Sequence, residues 1–211
     1  MMIIINFKNY LSGAAALDLV KKIEIYYGKA IVAVPIIDLV NVVKSTTLPI
    51  YAQHIDYQES GRSTGFVTPE QIIAAGVQGA LLNHSEHPVS LAEIKKTIKR
   101  ANEVGLKIIV CVGTLATARQ VLKLKPYAIA FEDKKLIATG ESITEYDTAL
   151  LIKFVSLMKE SETMPLCGAG ITSGADVAKA LMLGCKGVLV SSVVANSQTP
   201  EKFLKEVPGL L

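Results

Sequence analysis

Eight times along this chain a short apolar run is followed by a segment with helical spacing, and that recurrence constrains the fold more than any other feature. The runs are MIIIN (2–6), AIVAVP (30–35), PIYAQH (49–54), GALLN (79–83), KIIVCV (107–112), YAIAFE (127–132), MPLCG (164–168) and GVLVSS (187–192). Rich in β-branched residues and bounded by turn signals, they read as strands. The spacing behind them predicts helices over 14–25, 37–44, 68–76, 90–103, 114–123, 145–160 and 174–183, with a last short helix near Pro200. In the fourth of these, Leu91, Ile94, Ile98 and Ala101 form one stripe and Gly105 marks the stop.

The strand runs are continuously apolar rather than alternating, as expected when both faces of a parallel sheet are covered. An open doubly wound sheet rarely needs eight evenly spaced units, whereas a closed (β/α)8 barrel requires that number. The fold class is therefore read as α/β, a (β/α)8 barrel. At 211 residues it falls short of the ~250 usual for that architecture, so its helices and loops must be trimmed. No linker or low-complexity segment divides the chain, which reads as one domain over 1–211.

Half the residues are apolar and the mean hydropathy is +0.40, a surplus that suggests a deeply buried sheet or a surface hidden between copies. No apolar run approaches the ~18 residues of a membrane helix. The longest, 30–37, is broken by Pro35, and the opening MMIII is too short for a signal peptide. No membrane association and a cytoplasmic location are the expectations. Cys111, Cys167 and Cys185 are odd in number and embedded in apolar text, which points to reduced, buried thiols. A net charge of +3 is too small to imply nucleic acid, yet it suits a small anionic substrate if focused in one cleft. His84, Glu86 and His87 in LLNHSEHP invite a metal reading, but no second ligand cluster accompanies them and no metal is expected.

Reactive groups of such a barrel sit where its strands end, on the face built from the βα loops. The polar strand-end residues are Asn6 and Lys8, Gln53 and His54, Asn83, His84 and Glu86, then Glu132, Gly168–Gly170 and Ser191–Ser192. They supply a cation, an imidazole and a carboxylate. Two small-residue turns also lie near helix starts, where free N–H groups can hold a phosphate.

These residues resemble the triosephosphate isomerases, their short archaeal branch in particular. NFK (6–8), NHSE (83–86), FEDKKLIATG (131–140) and CGAGI (167–171) match family motifs in order and in barrel position, and AQHID (52–56) has the archaeal character. The resemblance implies a cofactor-independent interconversion of dihydroxyacetone phosphate and glyceraldehyde 3-phosphate. By that likeness Glu132 is the base and His84 the neutral electrophile. Lys8 is fixed positive charge supported by Asn6, and Glu86 braces the site by hydrogen bonding. This family is itself the standard illustration of a base glutamate beside a neutral histidine. The phosphate contacts implied are backbone N–H groups at Ile137 and Ala138 in a lid over 133–140, at Gly168 and Gly170, and at Ser191 and Ser192. Closure of that lid would keep water from the enediolate.

The chain departs from the family pattern at Asp133, where proline is usual, and at Ala138, where glycine is usual. Ser191–Ser192 replaces a Gly-Gly or Ala-Ser turn, and His87–Pro88 replaces two arginines. These departures leave a second reading open, a silent or differently specific phosphate-binding barrel. An aldolase would want a Schiff-base lysine at a strand end, and no strand here ends in one. The long loop 56–66 implies by the same likeness a homodimer or homotetramer joined through it, with Thr64 placed near the partner's site. His54 and His87 read as structural or surface residues.

Overall fold

A computed structural model describes residues 1–132 and 147–210. The strands are β1 Met2–Asn6, β2 Ile31–Val34, β3 Ile50–Ala52, β4 Gly79–Leu82, β5 Lys107–Val112, β6 Ala128–Phe131, β7 Met164–Cys167 and β8 Gly187–Val190. All pair in parallel in sequence order, and β8 returns to β1 through Met2↔Gly187 to Ile5↔Val190, closing the barrel. The helices are α1 Ala14–Tyr26, α2 Leu39–Val43, α3 Pro69–Ala74, α4 Leu91–Val104, α5 Leu115–Leu122, α6 Thr148–Met158, α7 Gly174–Met182, α8 Ser192–Ala195 and α9 Pro200–Glu206. The α/β barrel expected from the sequence is the fold observed.

The continuous apolar runs now have a cause. Alternate residues of each strand serve two separate cores. Ile4, Tyr51, Leu81, Ile109, Leu166 and Leu189 fill the barrel interior, while Ile3, Ile5, Val32, Ile50, Val110 and Val188 face the helices. Each such side chain contributes about 1.5–3 kcal/mol when removed from water, so polar residues are excluded from both sets.

Helix α4 shows how local sequence sets the boundaries. The Ser90 hydroxyl accepts from Glu93 N–H at 3.2 Å, and the Glu93 carboxylate accepts from Ser90 N–H at 2.8 Å. Two differences from the expected boundaries are informative. The segment expected as a helix over 37–44 splits into a 3-10 turn at Ile36–Asp38 and the short α2, because Pro35 sets the entry and buried Asp38 accepts from Gly13 N–H at 2.9 Å. The run read as a strand to 192 ends at Val190, since α8 begins at once and the Ser191 hydroxyl turns aside to donate to Asn6 O at 2.7 Å. The expected lid over 133–140, including Ile137 and Ala138, and the expected helix start at 145 lie outside the described residues.

Candidate active site

The β1 end presents Asn6 and Lys8. Lys8 adopts the left-handed backbone region, φ 46°, unusual for a residue carrying a side chain. Its conformation is held by neighbours. Its N–H donates to Asn6 Oδ1 at 2.9 Å, and its carbonyl accepts from Gln53 Nε2 at 2.8 Å. The same Gln53 amide reaches Asn6 Oδ1 at 3.2 Å, so one β3-end side chain ties the β1 turn together. At the far end of the side chain, Lys8 Nζ donates to Glu86 Oε1 at 2.7 Å.

Beyond β4, Asn83 takes a left-handed backbone, φ 58°, and its side chain donates to Cys111 O at 2.8 Å and accepts from Val89 N–H at 3.0 Å. That bracing orients His84, which is buried. His84 Nδ1 accepts from Glu86 N–H at 3.2 Å. An imidazole nitrogen that accepts carries no proton, so the proton of the neutral ring sits on Nε2. Burial lowers the His84 pKa, the positive charge of Lys8 lowers it further, and Glu86 opposes both. The ring is held neutral, with Nε2–H as its donor.

Glu132 follows β6 directly, its N–H still bonded to Val112 O at 2.8 Å. Its carboxylate is buried, and Oε1 lies 3.4 Å from His84 Nε2. Burial raises its pKa to about 7, outweighing the opposing pull of the Cys111 thiol and the Lys8 charge. Oε2 is buried without a hydrogen-bond partner among the described residues. A carboxyl poised near neutrality in a dry site can both take and return a proton.

Asn6, Lys8, His84 and Glu132 line one cavity of about 340 Å³ together with Gly168, Gly170, Ser191 and Ser192. Gly168 is required by close approach, because a Cβ there would lie 2.8 Å from Glu132 Cγ. Gly170 takes φ 69°, a turn conformation glycine adopts freely. The barrel thus gathers Asn6, Lys8, His84, Glu132 and the two small-residue turns around one cavity. Glu86 stands at the rim on Lys8.

His54 and His87 lie outside this cavity and line a neighbouring one that shares Asn6, Lys8 and His84. Their rings stack with centroids 4.2 Å apart, and His54 Nε2 lies 3.2 Å from Asp56 Oδ1. No group of three or more His, Cys, Asp or Glu suited to a metal ion occurs among the described residues. Gln53 is the residue to which the sequence assigned no task. Its position among the polar strand ends marked it, but only the closed barrel brings its amide between Asn6 and Lys8.

A closed eight-strand barrel carrying a buried carboxylate, a neutral imidazole and a lysine at its βα-loop end belongs to the class of barrel enzymes built for acid–base chemistry. The sequence pattern of triosephosphate isomerase matches residues 1–207. The triosephosphate isomerase of Saccharolobus solfataricus is 39% identical, the match covering 97% of this chain and 93% of that protein. Those of Sulfurisphaera tokodaii and Methanocaldococcus jannaschii are each 37% identical, covering 97% and 98% of this chain and 93% and 98% of theirs. The chain belongs to the triosephosphate isomerase family.

Proposed function

We propose that this protein interconverts dihydroxyacetone phosphate and D-glyceraldehyde 3-phosphate through an enediolate. The observation that carries the reading is the buried Glu132 carboxylate 3.4 Å from His84 Nε2 at the wall of a shared cavity. Glu132 removes a proton from the carbon beside the carbonyl and returns it to the neighbouring carbon. His84 Nε2–H donates to the substrate oxygens as negative charge builds on them. Lys8 places fixed positive charge beside the enediolate and phosphate, and Asn6 holds the lysine turn. Backbone N–H groups at Gly170, Ser191 and Ser192, with Ile137 and Ala138 of the lid, receive the phosphate, whereas the Gly168 N–H expected among them already donates to Phe131 O at 2.9 Å and Gly168 serves by leaving room for Glu132. One proton passes between the two carbons through Glu132 and one between the two oxygens through His84, so protons and electrons balance within the substrate and these side chains and the reaction draws on no cofactor.

The test is a coupled assay of glyceraldehyde 3-phosphate turnover by the pure protein and by Glu132→Gln. Turnover lost in the variant with its fold intact supports the reading, and full activity in the variant overturns it. A silent phosphate-binding barrel is the second reading, favoured by Asp133 and Ala138, and it requires that the unaltered protein show no turnover.

The same reading extends to assembly. Ile36, Ile37 and Phe66 are exposed apolar residues, the first two lining a cavity with Val67 at the end of the 56–66 loop, and a homodimer or homotetramer formed through that loop would cover them. Ile37→Asp should then lower the sedimenting mass, and an unchanged mass would reject this interface. Residues 1–211 act as one barrel domain in this reading. Three buried free cysteines suit a reducing cytoplasm, and among the described residues no helix is long and apolar enough to cross a membrane.

A further inference from the structure

The end of the barrel opposite the cavity is built from the segments that carry the chain from each helix back to the next strand. Taken through each strand's first residue, the seven segments between α1 and β8 contain seven lysines against two glutamates, Glu160 and Glu162, and no aspartate or arginine. With a net charge of only +3 for the whole chain, the charge is strongly polarised towards this end. Lys44, Lys123 and Lys159 cap α2, α5 and α6, where they complement the negative helix ends. Lys29, Lys107, Lys125 and Lys186 cap nothing. They stand beside the strand starts, and helix dipoles do not account for them. All seven are exposed, and none forms an ion pair with a carboxylate among the described residues.

Two apolar side chains emerge at the same end. Met182, the last residue of α7, is 86% exposed, and Ile25, in the last turn of α1, is 76% exposed. Among the described residues, only Ile37, at the other end of the barrel, matches them in exposure as a large apolar side chain. A basic surface that also carries protruding apolar side chains matches the two layers of an anionic bilayer, charged headgroups over hydrocarbon. Nucleic acid would use the charge but has no place for Met182 and Ile25. We propose that this end of the barrel docks on an anionic phospholipid bilayer, with the lysines on the headgroups and Met182 and Ile25 entering the interface. Docking in this way leaves the cavity, at the opposite end, open to substrate.

The experiment is co-sedimentation of the whole protein with phosphatidylcholine vesicles and with phosphatidylcholine–phosphatidylserine vesicles. Each lysine brought to an anionic surface multiplies partitioning by about fivefold. Lys107→Glu/Lys125→Glu/Lys186→Glu should therefore cut binding to the anionic vesicles by at least about a hundredfold. Raising salt from about 0.1 M to about 1 M shortens the screening length from ~10 Å to ~3 Å and should release the unaltered protein. Ile25→Ser/Met182→Ser keeps every charge and should still weaken binding several-fold. Triose phosphate turnover, or the far-ultraviolet dichroism if turnover is absent, reports that both variants remain folded. Failure of that turnover would count against the proposed reaction without touching the docking surface. Absent or equal binding to the two vesicle types, or undiminished binding by the lysine variant, overturns the proposal. So does unchanged binding of Ile25→Ser/Met182→Ser combined with full displacement by double-stranded nucleic acid, an outcome that would assign the face to polyanions at large.

Discussion

His84 Nε2 and Glu132 Oε1 lie 3.4 Å apart, one group beyond β4 and the other beyond β6, although β5 separates the two strands in the barrel. The separation is too long for a strong hydrogen bond between them and short enough for both to reach one small substrate. Each side chain is buried, and burial acts on them in opposite senses. It favours the protonated carboxyl and the unprotonated imidazole.

Replacing Glu132 by glutamine removes the base and keeps the shape. General acid–base groups contribute roughly 10²–10⁴-fold, so kcat for triose phosphate isomerisation should fall by about 10³ or more with KM little changed. Steady-state kinetics in both directions measure it.

The same substitution should stabilise the fold at alkaline pH. The folded-state pKa of Glu132, about 7, stands above the 4.5 of an exposed glutamate. Between those values the native state binds more protons than the unfolded chain, so stability falls as pH rises through the window. By pH 8 the buried charge costs roughly 3 kcal/mol. Urea unfolding of Glu132→Gln against the unaltered protein should show little difference near pH 4.5 and a clear gain for the variant at pH 8.

The pH profile of kcat/KM should rise with an apparent pKa near 7, the value burial imposes on Glu132 in the free protein. The His84 pKa is pushed below its ordinary value, so the imidazole stays neutral through that rise and adds no second acidic limb there. A limb near the ordinary carboxylate range instead would mean that Glu132 is solvated in the working enzyme.

Gly168→Ala introduces a methyl group 2.8 Å from Glu132 Cγ and must push the carboxylate aside. Misplacement of a catalytic group by about 1 Å can cost ~10²-fold, so kcat should drop by about that factor while thermal stability changes much less.

Lys8 and His87 should separate sharply. Lys8→Met removes the cation that lines the cavity among the described residues and should lower kcat/KM by about 10²–10³-fold, with KM raised as phosphate attraction is lost. His87→Ala removes a ring stacked on His54 outside the catalytic cavity, and kcat/KM should stay within about twofold.

Much of this was legible in the residues themselves. The repeated pairing of an apolar run with a helical stripe admits few architectures, because a strand apolar on both faces must be covered on both. Ile3 and Ile4, adjacent in sequence and committed to opposite cores, show that logic in one step. The polar residues interrupting that pattern at strand ends had to be loop residues at one rim, so Lys8, His84 and Glu132 could be nominated as neighbours before any coordinate. Local signals likewise marked the end of α4 through Gly105.

What the chain did not disclose depended on groups meeting across the closed barrel. Gln53 is an ordinary amide in sequence, and its hold on the left-handed Lys8 turn exists only because β3 and β1 flank β2. The neutral tautomer of His84 rests on a backbone N–H two residues on, presented by a loop that Asn83 braces. Glu132 becomes a base near neutrality because packing strips water from it, an energy that no spacing of letters encodes. The polarised lysine end emerges the same way, since seven residues scattered along the chain become one surface only when every strand begins at the same end. Periodicity is a local property and is written in the sequence; desolvation, register and charge alignment are collective, and tertiary structure decides them.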